Sequence, residues 1–200
     1  WYQRRVRATF DQFQHHQHSS FKNNVISVSY NISQQIPEIT KKIEFKTRIN
    51  IIIDDFQKIQ ILNSKNVQSY DIVCVIVDNE ETLRKACEYP VDLFKIIQNI
   101  PIKHTDANTA IQNGGFLEIN LDHVSSDLFQ RGLIISTVSR FKNVCITAPD
   151  CSPTEIFIFC KKFGLKQSQI ERTWKAVWRA CLVRKAKYFG ELQWEEIKIM

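Results

Sequence analysis

Aspartates stand at or just past the ends of four strand-like apolar runs: Asp54 and Asp55, Asp78, Asp122 followed by His123, and Asp150. If these runs are parallel strands of a β/α barrel, their carboxyl ends surround the place where such folds carry out chemistry. A ring of carboxylates there could hold divalent metal ions for phosphoester hydrolysis. The competing reading is structural, because an aspartate directly after a strand accepts from the first free N–H groups of the next helix. Asp78 with Glu81 fits an N-cap and its N3 partner ahead of Leu83, Ala86 and Cys87. Asp54 or Asp55 fits the same job before a helical segment over 56–62. A second candidate is the H-H-Q-H cluster of His15, His16 and His18, since an H-x-H pair can bind a metal from adjacent strand positions. It lies in the polar stretch 12–24, ahead of the first recognisable strand and with no apolar run behind it, which makes it an exposed loop. No G-x-S-x-G turn occurs, and no cysteine has a histidine nearby in sequence. Neither a cofactor nor a metal is expected.

The basic residues are distributed more tellingly. The formal net charge is +6, yet 161–190 holds nine cations and a single acid, Glu171, and so carries +8. Arg172, Lys175 and Arg179 fall at i, i+3 and i+7 of a helical segment, and Arg184, Lys185 and Lys187 extend the stripe toward Tyr188 and Phe189. Such a face can neutralise phosphates without reading bases. It can equally meet an acidic protein, or only water. Ile170, Trp174, Val177, Trp178 and Cys181 follow the apolar spacing of the same helix, so the tryptophans read as core rather than as platforms for bases.

The elements that position these residues alternate. Strands are expected over 25–30, 49–53, 72–77, 91–97, 116–121 and 144–147, and three of these runs are apolar at consecutive positions. A strand apolar on both faces is covered on both, the habit of parallel sheets flanked by helices. Ser152-Pro153-Thr154-Glu155 combines a cap serine, a proline at the first helical position and a glutamate at N3. The helix it opens stripes Ile156, Phe159, Cys160 and Phe163 on one side and stops at Gly164. Ser168 with Glu171 repeats the cap signal for a helix over 168–190. A helix over 127–141 turns Ile134, Val138 and Phe141 inward despite Gly132.

Strand–helix alternation of this kind resolves into a barrel or a doubly wound sheet. G-x-G-x-x-G and G-x-x-x-x-G-K-[ST] are both absent, which weighs against the nucleotide-binding doubly wound folds. A complete barrel takes about 250 residues, so a barrel of 200 residues would be incomplete or truncated. The length suits one domain over 1–200. The six cysteines, Cys74, Cys87, Cys145, Cys151, Cys160 and Cys181, form no C-x-x-C pair and read as buried free thiols of a reducing compartment. The apolar runs are too short to cross a bilayer, so no membrane partner is expected.

Four colinear stretches carry a resemblance. They are Thr47-Arg-Ile-Asn-Ile-Ile-Ile-Asp-Asp55; Ser69-Tyr-Asp-Ile-Val-Cys-Val-Ile-Val77 with Leu83, Ala86-Cys87 and Val91-Asp92-Leu93; Asn108-Thr-Ala-Ile-Gln-Asn-Gly-Gly-Phe-Leu-Glu-Ile119; and Lys142-Asn-Val-Cys-Ile-Thr147 with Pro153-Thr-Glu-Ile156, Phe163-Gly-Leu165 and Arg179-Ala-Cys-Leu-Val183. Together they resemble the thirty-kilodalton protein subunit of ribonuclease P, shared in eukaryotes with ribonuclease MRP. The resemblance implies a PHP-like, TIM-barrel-derived β/α fold without the phosphoesterase metal site. It implies a nuclear and nucleolar subunit that supports RNA-catalysed 5′ processing of precursor tRNA, and rRNA processing through MRP. The partners it implies are the complex's RNA, a small α+β subunit and other protein subunits. The family's opening strand, D-L-N-V-like, is missing and the first residue is Trp1, so the chain is expected to lack its true start. Two positions depart from the family. Where it has an aromatic residue and an Arg-Arg pair, this chain has Asp127 and only Arg131; where it has Arg-Gly after P-x-E-I, this chain has Phe157-Ile158. Arg131 therefore joins Arg172, Lys175, Arg179, Arg184, Lys185 and Lys187 as a candidate RNA- or partner-binding residue. The alternatives are a metal-dependent PHP-type phosphoesterase and an unrelated β/α interaction domain.

Overall fold

Among the described residues the β-branched runs and one short flanking strand form a seven-stranded sheet, hydrogen-bonded in chain order. A computed structural model describes residues 8–9, 25–38, 46–121, 126–147 and 152–174, together with 176 and 180. The short β1 (Ala8–Thr9) lies antiparallel to β2 (Val25–Asn31). Then β3 (Lys46–Ile52), β4 (Ile72–Val77), β5 (Leu93–Ile96), β6 (Phe116–Asn120) and β7 (Val144–Thr147) each join parallel to the strand before. Parallel neighbours need crossovers. These are the 3-10 helix Phe56–Asn63 with α1 (Lys65–Gln68), then α2 (Glu80–Ala86), α3 (His104–Gln112) and α4 (Ser126–Val138), while α5 (Pro153–Lys162) and α6 (Gln167–Trp174) follow β7. A doubly wound sheet reverses its strand order partway; this one never does. The fold is an α/β, barrel-like one, as the sequence leads one to expect.

Strand alternation gives the sheet two unlike faces. Ile49, Ile51, Val73, Val75, Val77, Phe94, Ile96, Leu117, Ile119, Val144 and Ile146 join the helices in the main core. The inner face carries a smaller cluster, Ile72, Cys74, Leu93, Phe116 and Cys145, closed over by Ala176 and Ala180.

Local sequence places most helix ends, with shifts of a residue or two. Ser152 makes the full capping box with Glu155, Pro153 is at the first turn, and Gly164 takes φ +84 just past the end of α5. Asp55 caps the 3-10 helix through Gln57 N at 2.9 Å. The cap of α2 is Asn79 rather than Asp78, its side chain accepting from Thr82 N at 2.8 Å; an asparagine one residue on offers the same acceptor. At α6 the expected Ser168–Glu171 box gives way to Gln169, whose side chain accepts from Lys166 N at 2.6 Å. The inward stripe of α4 is also rotated. Leu128, Gly132, Ile135 and Ser139 are buried, while Ile134, Val138 and Phe141 are half-buried. Gly132 explains the rotation, because a Cβ there would lie 2.5 Å from the Phe163 ring. The helix turns its glycine toward α5 so that the ring can seat on bare backbone.

Candidate functional site

Polar residues thread the inner face of the sheet from one side to the other. Arg48 on β3 donates from Nη2 to Glu118 Oε2 on β6 at 2.5 Å and to Cys74 Sγ on β4 at 3.1 Å. Its Nε donates to Asn50 Oδ1 at 2.8 Å, and Asn50 Nδ2 donates to Ser29 Oγ on β2 at 3.3 Å. On the far side Thr147 Oγ1 of β7 donates to Glu118 Oε1 at 2.6 Å. The chain of contacts thus runs from β2 to β7.

The Arg48–Glu118 pair also reports the tilt of the strands. Following the register from Glu118 through Lys95 and Ile76 leads to Ile52, four residues beyond Arg48. Four residues at about 3.3 Å against three strand spacings of about 4.8 Å is a slope of roughly 40°, the tilt of barrel strands. Arg48 and Glu118 therefore stand at one height in a curled sheet.

Both side chains are out of water, at 7% and 1% exposure. Burial pushes the Glu118 carboxyl up, but the charges of Arg48 and Lys95 and the hydrogen bonds from Arg48 and Thr147 outweigh it and leave it below the usual carboxylate range. Burial likewise opposes the charged form of Arg48, yet its partners Cys74 and Glu118 hold its proton more firmly than usual. The Cys74 thiol is pushed up to about 12, chiefly by burial. Cys87 and Cys160 are also raised to about 12, again chiefly by burial. The four cysteines within the described residues are buried thiols, so they behave as small hydrophobes rather than nucleophiles. Sequence reasoning passed over Arg48 and Glu118 as a site. The available signal was a charge inside each of two strands, Arg48 in KTRINII and Glu118 in FLEIN.

The strand-end aspartates are occupied locally. Asp54 Oδ2 accepts from Ser33 Oγ at 2.6 Å, and that bond first of all holds its carboxyl below the usual range. Asp55 caps the 3-10 helix and pairs with Lys58 at 3.7 Å. Asp78 Oδ1 accepts from Asn79 Nδ2 at 2.7 Å and from Thr82 Oγ1 at 3.2 Å. Asp122, His123 and Asp150, like His15, His16 and His18, lie outside the described residues. Among the described residues no three His, Cys, Asp or Glu side chains come together as metal ligands, and no helix is long and apolar enough to cross a membrane.

Of the cationic candidates, Arg172 is exposed on α6 while Ile170 and Thr173 beside it are buried. Lys175, Arg179, Arg184, Lys185 and Lys187 lie outside the described residues, as do the side chains of Trp174 and Trp178. The buried positions that continue α6 are Ala176 and Ala180, at 0% and 1% exposure. Arg131 is half-buried, and its Nη1 donates to the Ile97 carbonyl, tying α4 to the segment after β5. Burial lowers its proton affinity, against the pull of Asp127.

The fold and its interior define a barrel-like α/β protein whose inner face is braced by a buried ion pair. A family model described as RNase P subunit p30 matches residues 6–149. The chain belongs to that family and is a protein subunit of ribonuclease P, not an unrelated β/α domain. A chain in a cryo-EM structure of archaeal ribonuclease P with mature tRNA shares the fold, with a TM-score of 0.61, 13% identity and 87% of each chain covered. No curated protein matches the chain.

Proposed function

We propose that this subunit is non-catalytic, meeting RNA and neighbouring proteins while the RNA of the complex cleaves the 5′ end of precursor tRNA. The observation that carries the reading is the occupied interior. A metal-dependent phosphoesterase needs convergent carboxylates and imidazoles; here a buried guanidinium engages Glu118, and a divalent cation beside Arg48 would meet unscreened repulsion. Asp54, Asp55 and Asp78, engaged in turns and caps, support the same reading.

In this reading the stripe of Arg172, Lys175, Arg179, Arg184, Lys185 and Lys187 faces RNA or a neighbouring subunit, with Arg131 beside the segment after β5. A small α+β protein is the immediate partner. Service in ribonuclease MRP with rRNA processing, and residence in the nucleus and nucleolus, belong to the same proposal, as does a single domain over 1–200.

The test is turnover. The purified chain should hydrolyse no generic phosphodiester, with Mn²⁺ or with Zn²⁺. Hydrolysis that disappears in Asp122→Asn would instead establish the metal-dependent phosphoesterase.

A further inference from the structure

We infer that the end of the domain where β6 and β7 begin is a docking surface for RNA phosphates, built by Arg140, Lys142, Lys162 and Lys166. This deepens the proposed function and rests on its reading of the chain as an RNA-associated subunit.

Topology brings the four together. Arg140 and Lys142 lie in the loop that leads from α4 into the start of β7. After β7 the chain returns along α5, so the end of α5 and the turn beyond it, which carry Lys162 and Lys166, come back to that same end of the sheet. The two loops touch: a Cβ on Gly164 would stand 3.7 Å from the Phe141 ring. Lys162 leaves α5 at that end, and its Nζ reaches back 5.1 Å over the ring of Phe129, near the start of α4. All four cations are exposed, and among the described residues none is ion-paired.

The loop that displays Arg140 and Lys142 is strained and held. Arg140, Phe141 and Asn143 have φ of 51, 58 and 46, the left-handed region that side chains disfavour. Phe141 N donates to Ser136 O at 2.7 Å, Lys142 N to Ser139 O at 3.0 Å, and Asn143 Nδ2 to Gly115 O at 3.1 Å, which fixes the conformation. Glycine would relieve the strain at 140 and 141, yet the chain keeps a cation and an aromatic there, with Lys142 displayed between them and Asn143. Persistent strain of this kind concentrates at functional sites.

The bland account is that cations in a helix's last turn answer its free carbonyls. That covers Lys162, but not Lys142 or Lys166, which stand beyond the helix ends. The opposite end of the sheet carries Asp54, Asp55, Asp78, Glu80 and Glu81, of which Asp55 pairs with Lys58 and Glu80 with Lys103, while Asp71, Glu88 and Asp92 lie ahead of the starts of β4 and β5. A polyanion is drawn to the starts of β6 and β7 in particular, which puts RNA opposite the mouth where barrels ordinarily hold ligands. An acidic protein is the weaker fit. Protein interfaces are poor in lysine and rely on buried apolar anchors, and the aromatic residue of this loop, Phe141, already packs against Gly164.

The experiment measures binding of the full chain to a ribonuclease P RNA transcript over a salt series. Replacing Lys142, Lys162 and Lys166 together with glutamine should flatten the log–log salt slope by about 0.7–0.9 per lost contact, so by roughly 2–3 if all three touch phosphate. Affinity should fall about equally for unrelated structured RNAs. The matching triple lysine-to-arginine variant should keep the slope, which separates lost contacts from lost fold. A glutamine variant that binds with the wild-type slope overturns the docking surface and leaves the RNA-associated reading standing. Loss of a protein partner with that slope unchanged overturns it in favour of an acidic protein. Wild-type protein with no salt-dependent binding overturns both.

Discussion

At the scale of single residues the interior turns on Arg48 and Glu118. Removing one partner of a buried pair leaves an uncompensated charge and costs roughly 3–5 kcal/mol, while replacing both with apolar residues of similar volume is often neutral. Glu118→Gln should therefore destabilise strongly in urea unfolding, and Arg48→Met with Glu118→Leu should recover most of the loss. A double variant no better than the single one would mean that the pair does not act as a unit. The sign of the pH effect follows from the lowered carboxyl. Its contribution is fully present above the unfolded value of about 4.3 and is lost as pH falls from there through the lower folded value. Acid unfolding of the wild type should steepen in that window, and Glu118→Gln should flatten it. Each charge was visible in sequence inside a strand, but the pairing was not. The partners are 70 residues apart and meet only because the sheet tilts and curls.

At the scale of elements, α4 and α5 meet through Gly132 and the rings of Phe129, Phe159 and Phe163, with Phe129 and Phe163 centroids 6.0 Å apart. Gly132→Ala gains about 1 kcal/mol of helix propensity but drives a methyl group into Phe163, an overpacking that typically costs about 1–3 kcal/mol. Net destabilisation in thermal unfolding is expected, and a smaller residue at 163 should relieve it. An alanine variant more stable than wild type would contradict this packing. The helix starts were legible where the signal is local and redundant, as at Ser152-Pro153-Thr154-Glu155, and drifted where neighbours compete, as Asn79 does with Asp78. Inward stripes were less legible. On the last helix Ile170 is buried as its spacing suggested, and Thr173, Ala176 and Ala180 are buried as well, while the side chains of Trp174 and Trp178 lie outside the described residues. Small side chains suit a helix lying close over the concave side of a sheet, a constraint that belongs to the sheet and not to the helix.

For the whole molecule, the strictly sequential strand order separates a barrel-like fold from a doubly wound one. The alternation of strands and helices pointed to that pair of folds, and the missing glycine-rich turns favoured the first. Charge divides unevenly along the strands, with the carboxylates of the β3 and β4 ends at one mouth, Arg140, Lys142, Lys162 and Lys166 at the other end, and Asp71 and Asp92 at the starts of β4 and β5. No periodicity announces that division, because residues 78 and 142 come to opposite ends only through the winding of the chain. The central claim, a ribonuclease P subunit that works through RNA, is tested most directly by recovering the tagged full chain from its native cell extract and sequencing the RNA that comes with it. Strong enrichment of ribonuclease P RNA, with MRP RNA beside it where that complex exists, is the expected result. Recovery of intact, soluble protein with no RNA enriched over an untagged control would contradict the account.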